Sequence, residues 1–131
     1  MPDYLLDTHA CVYALAAPAK LGKAARRALE TVEAGRSIAW IPAAVAAEIA
    51  LLRERDKIGV GLLQLRTALE QTPGLKFLAL DLLQIETFAT LMAIKDPFDR
   101  LILSACRVTG ARLITRDSTL LESKVVPALW D

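Results

Sequence analysis

A chain of 131 residues with 54% hydrophobic content is long enough to bury one real core. A net charge of only +1 excludes a polycation, so any nucleic-acid surface has to be a local patch. The single histidine, His9, excludes a multi-histidine zinc site.

Positive mean hydropathy in so small a domain leaves apolar surface to spare for a partner. No apolar run approaches the ~20 residues of a membrane span. Met1-Pro2-Asp3-Tyr4 lacks the basic and apolar regions of a signal peptide, so a soluble cytoplasmic protein is expected. Cys11 and Cys106 fall in no CxxC or Cys/His metal spacing and read as buried reduced thiols.

In chain order, Tyr4-Leu5-Leu6 is a short apolar strand that Asp7-Thr8 leads into a helix. Residues 21–34 carry Leu21, Ala24, Ala25, Ala28, Leu29 and Val32 on one helical stripe, which Gly35 ends. Residues 37–41 read as a strand, and Pro42 opens a helix to about Arg55. A second amphipathic helix is expected from Val60 to about Gln71, stopped by Pro73-Gly74. A strand over 77–80 follows, and Asp81 caps a helix through Met92. Asp96-Pro97 opens the next helix and Gly110 closes it. Leu113-Ile114-Thr115 is a strand ending in Arg116-Asp117, and Val125-Val126-Pro127 reads as a short edge strand. No repeat or linker interrupts the chain, so residues 1–131 are expected to form one domain. Short apolar strands alternating with helices predict an α/β sandwich with a mostly parallel sheet. Ligands gather outside the carboxyl ends of such strands. Asp7 and Asp117 both stand just past a predicted strand end.

The acids are the chemistry-bearing residues. Glu48 has Ala44, Val45, Leu51 and Leu52 as its helical neighbours, so its carboxylate sits on an apolar face. Buried carboxylates are rare unless paired or bound to metal; a salt bridge is the plainer alternative. Asp96-Pro97-Phe98-Asp99 has a cap residue, proline at the first helical position and an acid three residues after the cap. Asp96 is the natural cap, and local pattern leaves Asp99 open between capping and chemistry. Asp7 and Asp117 share their strand-then-acid signature with Asp81, to which no chemistry is assigned. Three or four acids converging on one crevice would repel one another without a cation, and oxygen-only donors suit Mg²⁺ or Mn²⁺. Thr8, Thr115 and Ser118 flank the acids as hydrogen-bond donors or helix caps. His9 reads more readily as a half-exposed structural histidine than as an acid, and Trp40 and Trp130 as packing residues. Arg100, Arg112 and Arg116 are open between phosphate contacts and balancing charges.

The order of these pieces carries a resemblance. Leu5-Leu6-Asp7-Thr8-His9-Ala10, Ala47-Glu48-Ile49, Asp96-Pro97-Phe98-Asp99-Arg100-Leu101 and Leu113-Ile114-Thr115-Arg116-Asp117 resemble the PIN-domain family across essentially the whole chain. More narrowly, they look like the VapC toxins of toxin–antitoxin pairs, as does the ending Val126-Pro127-Ala128-Leu129-Trp130. The resemblance places that family's four acids on Asp7, Glu48, Asp99 and Asp117, choosing Asp99 over Asp96. It implies a Rossmann-like three-layer α/β/α sandwich and Mg²⁺- or Mn²⁺-dependent endonucleolytic cleavage of RNA. In that expectation Asp7, Asp99 and Asp117 hold the metal, and Asp96, Thr8, Thr115, Arg116 and Ser118 support the acids or meet the substrate. It implies as well a homodimer, neutralised by a cognate antitoxin in a toxin–antitoxin hetero-oligomer. One departure is Ile41-Pro42-Ala43-Ala44-Val45, where relatives often carry a serine, with a tryptophan before the glutamate. The rival reading is a PIN-like module without catalysis that acts through a protein partner. A receiver-type phosphoacceptor fits less well, because no acidic pair stands near the first strand and no lysine follows the late one.

Overall fold

The computed structural model describes residues 3–131; Met1 and Pro2, where the absence of a signal peptide was expected to begin, lie outside the described residues. Five strands form one sheet: β1 (Tyr4–Leu6), β2 (Ala39–Pro42), β3 (Leu75–Leu78), β4 (Arg112–Ile114) and β5 (Ala128–Leu129). Their order is β3-β2-β1-β4-β5, and every neighbouring pair is parallel. Seven helices connect them among the described residues: α1 (Thr8–Ala16), α2 (Lys23–Glu33), α3 (Ala43–Glu54), α4 (Leu62–Gln71), α5 (Leu82–Thr90), α6 (Pro97–Thr109) and α7 (Ser118–Ser123). The expected α/β sandwich is present, its sheet parallel throughout.

Apart from exposed Arg112 and partly buried Trp40, the central strands are buried, with Leu5, Leu6, Ile41, Leu113 and Ile114 almost wholly inaccessible. Continuous apolar runs of this kind mark a parallel sheet covered on both faces. Right-handed crossovers put the β1–β2–β3 connections on one face and those leading to β4 and β5 on the other. The winding direction therefore reverses between β1 and β4. Those strands are neighbours, with Leu6 opposite Ile114, and their carboxyl ends open a crevice.

Several boundaries differ from the sequence expectation. β3 begins at Leu75 and ends at Leu78, two residues early, because its register runs from Leu75 opposite Ala39 to Leu78 opposite Pro42. The chain then leaves the sheet, and the Ala79 carbonyl accepts a 2.9 Å bond from the Gln84 side chain. β5 starts at Ala128 rather than Val125: Val126 is spent in the core, and Pro127 offers only its carbonyl, to the Leu113 amide at 2.8 Å. α4 starts at Leu62, since the Gln64 side chain accepts from the Gly61 amide at 2.9 Å and sets the first turn. Residues 18–20 form a 3-10 turn that delays α2 to Lys23, and α7 is a helix that periodicity does not predict.

Gly110 closes α6 in the left-handed conformation at φ 72°, where a side chain would be strained. Both cysteines are free and buried, and burial pushes each thiol up to about 12, Cys11 also feeling Asp7. Among the described residues no helix is long and apolar enough to cross a membrane.

Candidate active site

The crevice at the β1/β4 junction holds a cavity of about 340 Å³. Asp7, Thr8, His9, Glu48, Asp96, Asp99, Ile102, Arg116 and Asp117 line it. Asp7 is the first residue past β1, and Asp117 follows β4 by three. Glu48 comes from the middle of α3, and Asp96 and Asp99 from the start of α6. The four expected acids, far apart in sequence, thus face one space.

Asp7 does two jobs at once. Its Oδ1 accepts from the Ala10 amide at 2.9 Å and caps α1, while its Oδ2 accepts from the Thr115 hydroxyl. Thr115 in turn accepts from the Asp117 amide at 3.0 Å, and Asp117 caps α7 through the Leu120 amide at 3.1 Å. The two strand ends are therefore joined side chain to side chain, as they are by the Asp7 amide donating to the Ile114 carbonyl. Burial is the largest influence on the Asp7 carboxyl and raises its pKa; bonds from Thr115 and Ala10 and the nearby His9 pull it down, and Asp117 pushes it up again.

Asp96 caps α6 by accepting from the Asp99 amide at 3.0 Å, and the return bond of a full capping box is absent among the described residues. That leaves the Asp99 carboxylate for the cavity. Burial, followed by the charges of Asp96, Asp117, Glu48 and Asp7, pushes Asp99 up to about 6. Glu48 is half-buried, and its partner is the Thr8 hydroxyl, not the arginine of a salt bridge. Asp81 caps α5 through the Gln84 amide at 2.9 Å and lies outside the cavity, so the shared strand-then-acid pattern separates only in three dimensions.

Other candidates divide. Thr8 and Thr115 support acids. Ser118 is an exposed first residue of α7 and does not line the cavity. Of the three arginines, only Arg116 reaches the cavity. Arg100 instead lays its guanidinium 4.2 Å over the Phe88 ring, and Arg112 is exposed on β4. Tyr13, not singled out by sequence, stands beside His9 and Arg116 (ring centroids 6.3 Å apart for the first, Cζ 4.9 Å from the Tyr13 centroid for the second). Its spacing of four from His9 was the signal, since i and i+4 share a helix face.

Apart from the His9 imidazole, carboxylate and hydroxyl oxygens supply the cavity's donors, a predominantly oxygen set that suits Mg²⁺ or Mn²⁺. Among the described residues no three His, Cys, Asp or Glu side chains form a ready single-ion cage. Mg²⁺ commonly keeps several waters and takes only one or two carboxylates directly, so the donors fit a hydrated ion. The elevated Asp99 carboxyl points the same way, because mutual repulsion among the acids is what a cation relieves.

A second cavity, about 310 Å³, lies apart from the acids; Leu15, Leu21, Leu29, Val32 and Ile41 give it a mainly apolar wall.

Solved structures share this fold. VapBC2 from Rickettsia felis bound to a DNA fragment from their promoter matches with a TM-score of 0.71 at 21% identity, covering 98% of this chain and 99% of that one. FitAcB from Neisseria gonorrhoeae matches at 0.66 and 18%, covering 96% of each chain. DNA-bound VapBC from Salmonella typhimurium matches at 0.65 and 16%, covering 98% of each. No curated protein matches the chain. The PIN-domain profile matches residues 4–124, a span that includes all five lining acids and both joined strand ends, and the chain belongs to the PIN-domain family.

Proposed function

We propose that this PIN domain is a metal-dependent endoribonuclease, the toxin of a toxin–antitoxin pair, cutting RNA phosphodiesters at the carboxylate cavity. The observation that carries the reading is the convergence of Asp7, Glu48, Asp99 and Asp117 on one space, with Asp99 pushed up to about 6 by burial and its acidic neighbours. Asp7, Asp99 and Asp117 are the residues to hold a hydrated Mg²⁺ or Mn²⁺, which when bound supplies charge neutralisation and activation of water. Thr115 fixes the Asp7 carboxylate, and Thr8 fixes Glu48. Glu48 orients the attacking water and takes its proton. Water attacks phosphorus in line, the bond from phosphorus to the 3′ oxygen breaks, and the products carry a 5′-phosphate and a 3′-hydroxyl, the leaving oxygen being protonated by solvent.

The partner side of the proposal is a cognate antitoxin and a second copy of the toxin in one hetero-oligomer. It is supported by the toxin–antitoxin complexes among the structures sharing the fold, one of them from Klebsiella pneumoniae, and by exposed apolar side chains on α5.

Asp7→Asn is the direct test. Asparagine caps a helix as well as aspartate does and removes a carboxyl whose charge is opposed by burial, so the variant should fold. Its Mn²⁺-stimulated cleavage of RNA should fall ~100-fold or more. Full activity in that variant would sink the assignment, and a wild-type protein that binds Mn²⁺ yet cuts no RNA would favour a module acting only through its partner.

A further inference from the structure

We propose that Arg116 and Lys20, seated against the ring of Tyr13, form a cationic strip that holds the RNA backbone where the strand leaves the carboxylate cavity. This rests on the ribonuclease reading above.

Arg116 lines the same cavity as five carboxylates, and its plainest fate there is an ion pair. It makes none: the ion pair recorded among the described residues is Arg53–Asp56, on another part of the surface. Instead its guanidinium carbon stands 4.9 Å from the centre of the Tyr13 ring. Lys20, in the 3-10 turn after α1, brings its Nζ to 5.5 Å from the same ring centre. Both cations are exposed and can be reached by a strand lying over the surface.

The ring that seats them is itself held. Tyr13 packs against Trp130 with centroids 6.3 Å apart, and the Trp130 carbonyl accepts from the Ala25 amide at 3.0 Å. Gly22 permits that docking, since a Cβ there would stand 2.3 Å from the same carbonyl oxygen. His9, which lines the cavity, and Trp130 are the aromatic neighbours of Tyr13. With its surroundings taken by two cations and two aromatic neighbours, Tyr13 acts as a positioning residue for the cations, not as a platform for a base.

The chemistry calls for such a strip. A cavity lined by carboxylates repels a polyanion, and the strand needs positive charge at the mouth to approach it. A cation neutralised by Asp117 could not provide it; one held off by an aromatic ring can. Arg116 lines the cavity and Lys20 does not, so the two cations that share Tyr13 lead the strand from the acids outward.

The test uses the intact protein, Mn²⁺ and a 5′-labelled single-stranded RNA of mixed sequence. Arg116→Ala and Lys20→Ala should each raise KM by roughly tenfold while kcat moves much less. Each should also reduce the slope of log binding against log salt by about 0.7, one phosphate contact on a single strand. Tyr13→Ala should raise KM as both cations lose their seat, and Tyr13→Phe should restore the wild-type value. Circular dichroism and Mn²⁺ binding check the fold; should Tyr13→Ala fail to fold, the two exposed cation variants decide alone. Unchanged KM and salt slope in both, with wild-type cleavage intact, overturns the strip and leaves the ribonuclease reading standing. A fall in kcat at constant KM also overturns it. A wild-type protein that neither binds nor cuts RNA overturns both.

Discussion

At the scale of single residues, the acids of the cavity are not equivalent, and hydrogen bonding is what separates them. Asp7, Asp96 and Asp117 each spend an oxygen on a helix cap, whereas Asp99 caps nothing. Its carboxyl therefore carries the repulsion of the group, displaced from an ordinary 3.8 to about 6 by burial first and by Asp96, Asp117, Glu48 and Asp7 after it. Because the folded state holds this proton more tightly than the unfolded chain does, stability falls as pH rises from 3.8 through about 6, and above that the whole cost is present. Asp99 is half-exposed, so solvent screening keeps the cost to about 1 kcal/mol. With chelator present, Asp99→Asn should be the more stable protein by about that amount at pH 7.5, with the difference gone near pH 3.5. Urea denaturation at the two pH values measures it; an identical gap at both would contradict the electrostatic account. Mn²⁺ should reverse the order at neutral pH, stabilising the wild type above the variant.

At the scale of elements, caps and proline positions were legible along the chain. Tyr4–Leu6 was readable to the residue, as was the opening of α6 at Asp96-Pro97 and its closure at Gly110. β3 and β5 slipped by two and three residues, because a short parallel strand takes its register from its neighbours and not from its own pattern. Docking of the last strand against α2 was equally invisible. Gly22→Ala probes it: the new Cβ would meet the backbone carbonyl of Trp130 at 2.3 Å, an obstacle that cannot rotate away. The variant should lose about 2 kcal/mol in urea denaturation, with Trp130 emission shifted to the red as the segment lifts. A stability and emission spectrum matching the wild type would show that the segment accommodates a methyl group without undocking.

At the scale of the whole molecule, apolar surface remains uncovered. Leu82 and Leu83 on α5 are 73% and 56% exposed, Leu63 on α4 is 72% exposed, and Phe77 lies exposed on β3, an edge of the sheet. Exposed leucines on a helix and an open strand edge are what a second copy would cover. For the proposed dimer, Leu82→Glu combined with Leu83→Glu should give a monomer in sedimentation at micromolar concentration, leaving the circular dichroism spectrum unchanged. A wild-type protein that sediments as a monomer, or a double variant that stays dimeric, would remove α5 from the interface.

The chain by itself determined the alternation of strands and helices, the parallel α/β class and the short list of acids, since hydrophobic period, caps and strand-end positions are local properties. Family resemblance chose Asp99 over Asp96. Only the tertiary structure decided that Asp81 stands apart while Asp7, Glu48, Asp99 and Asp117 share one cavity, that Thr8 and Thr115 tie acids 40 and 108 residues away, and that Arg116 leans on Tyr13. Those facts depend on which strands become neighbours. The reversal of winding between β1 and β4 sets the two strand ends side by side, and no local pattern encodes that adjacency.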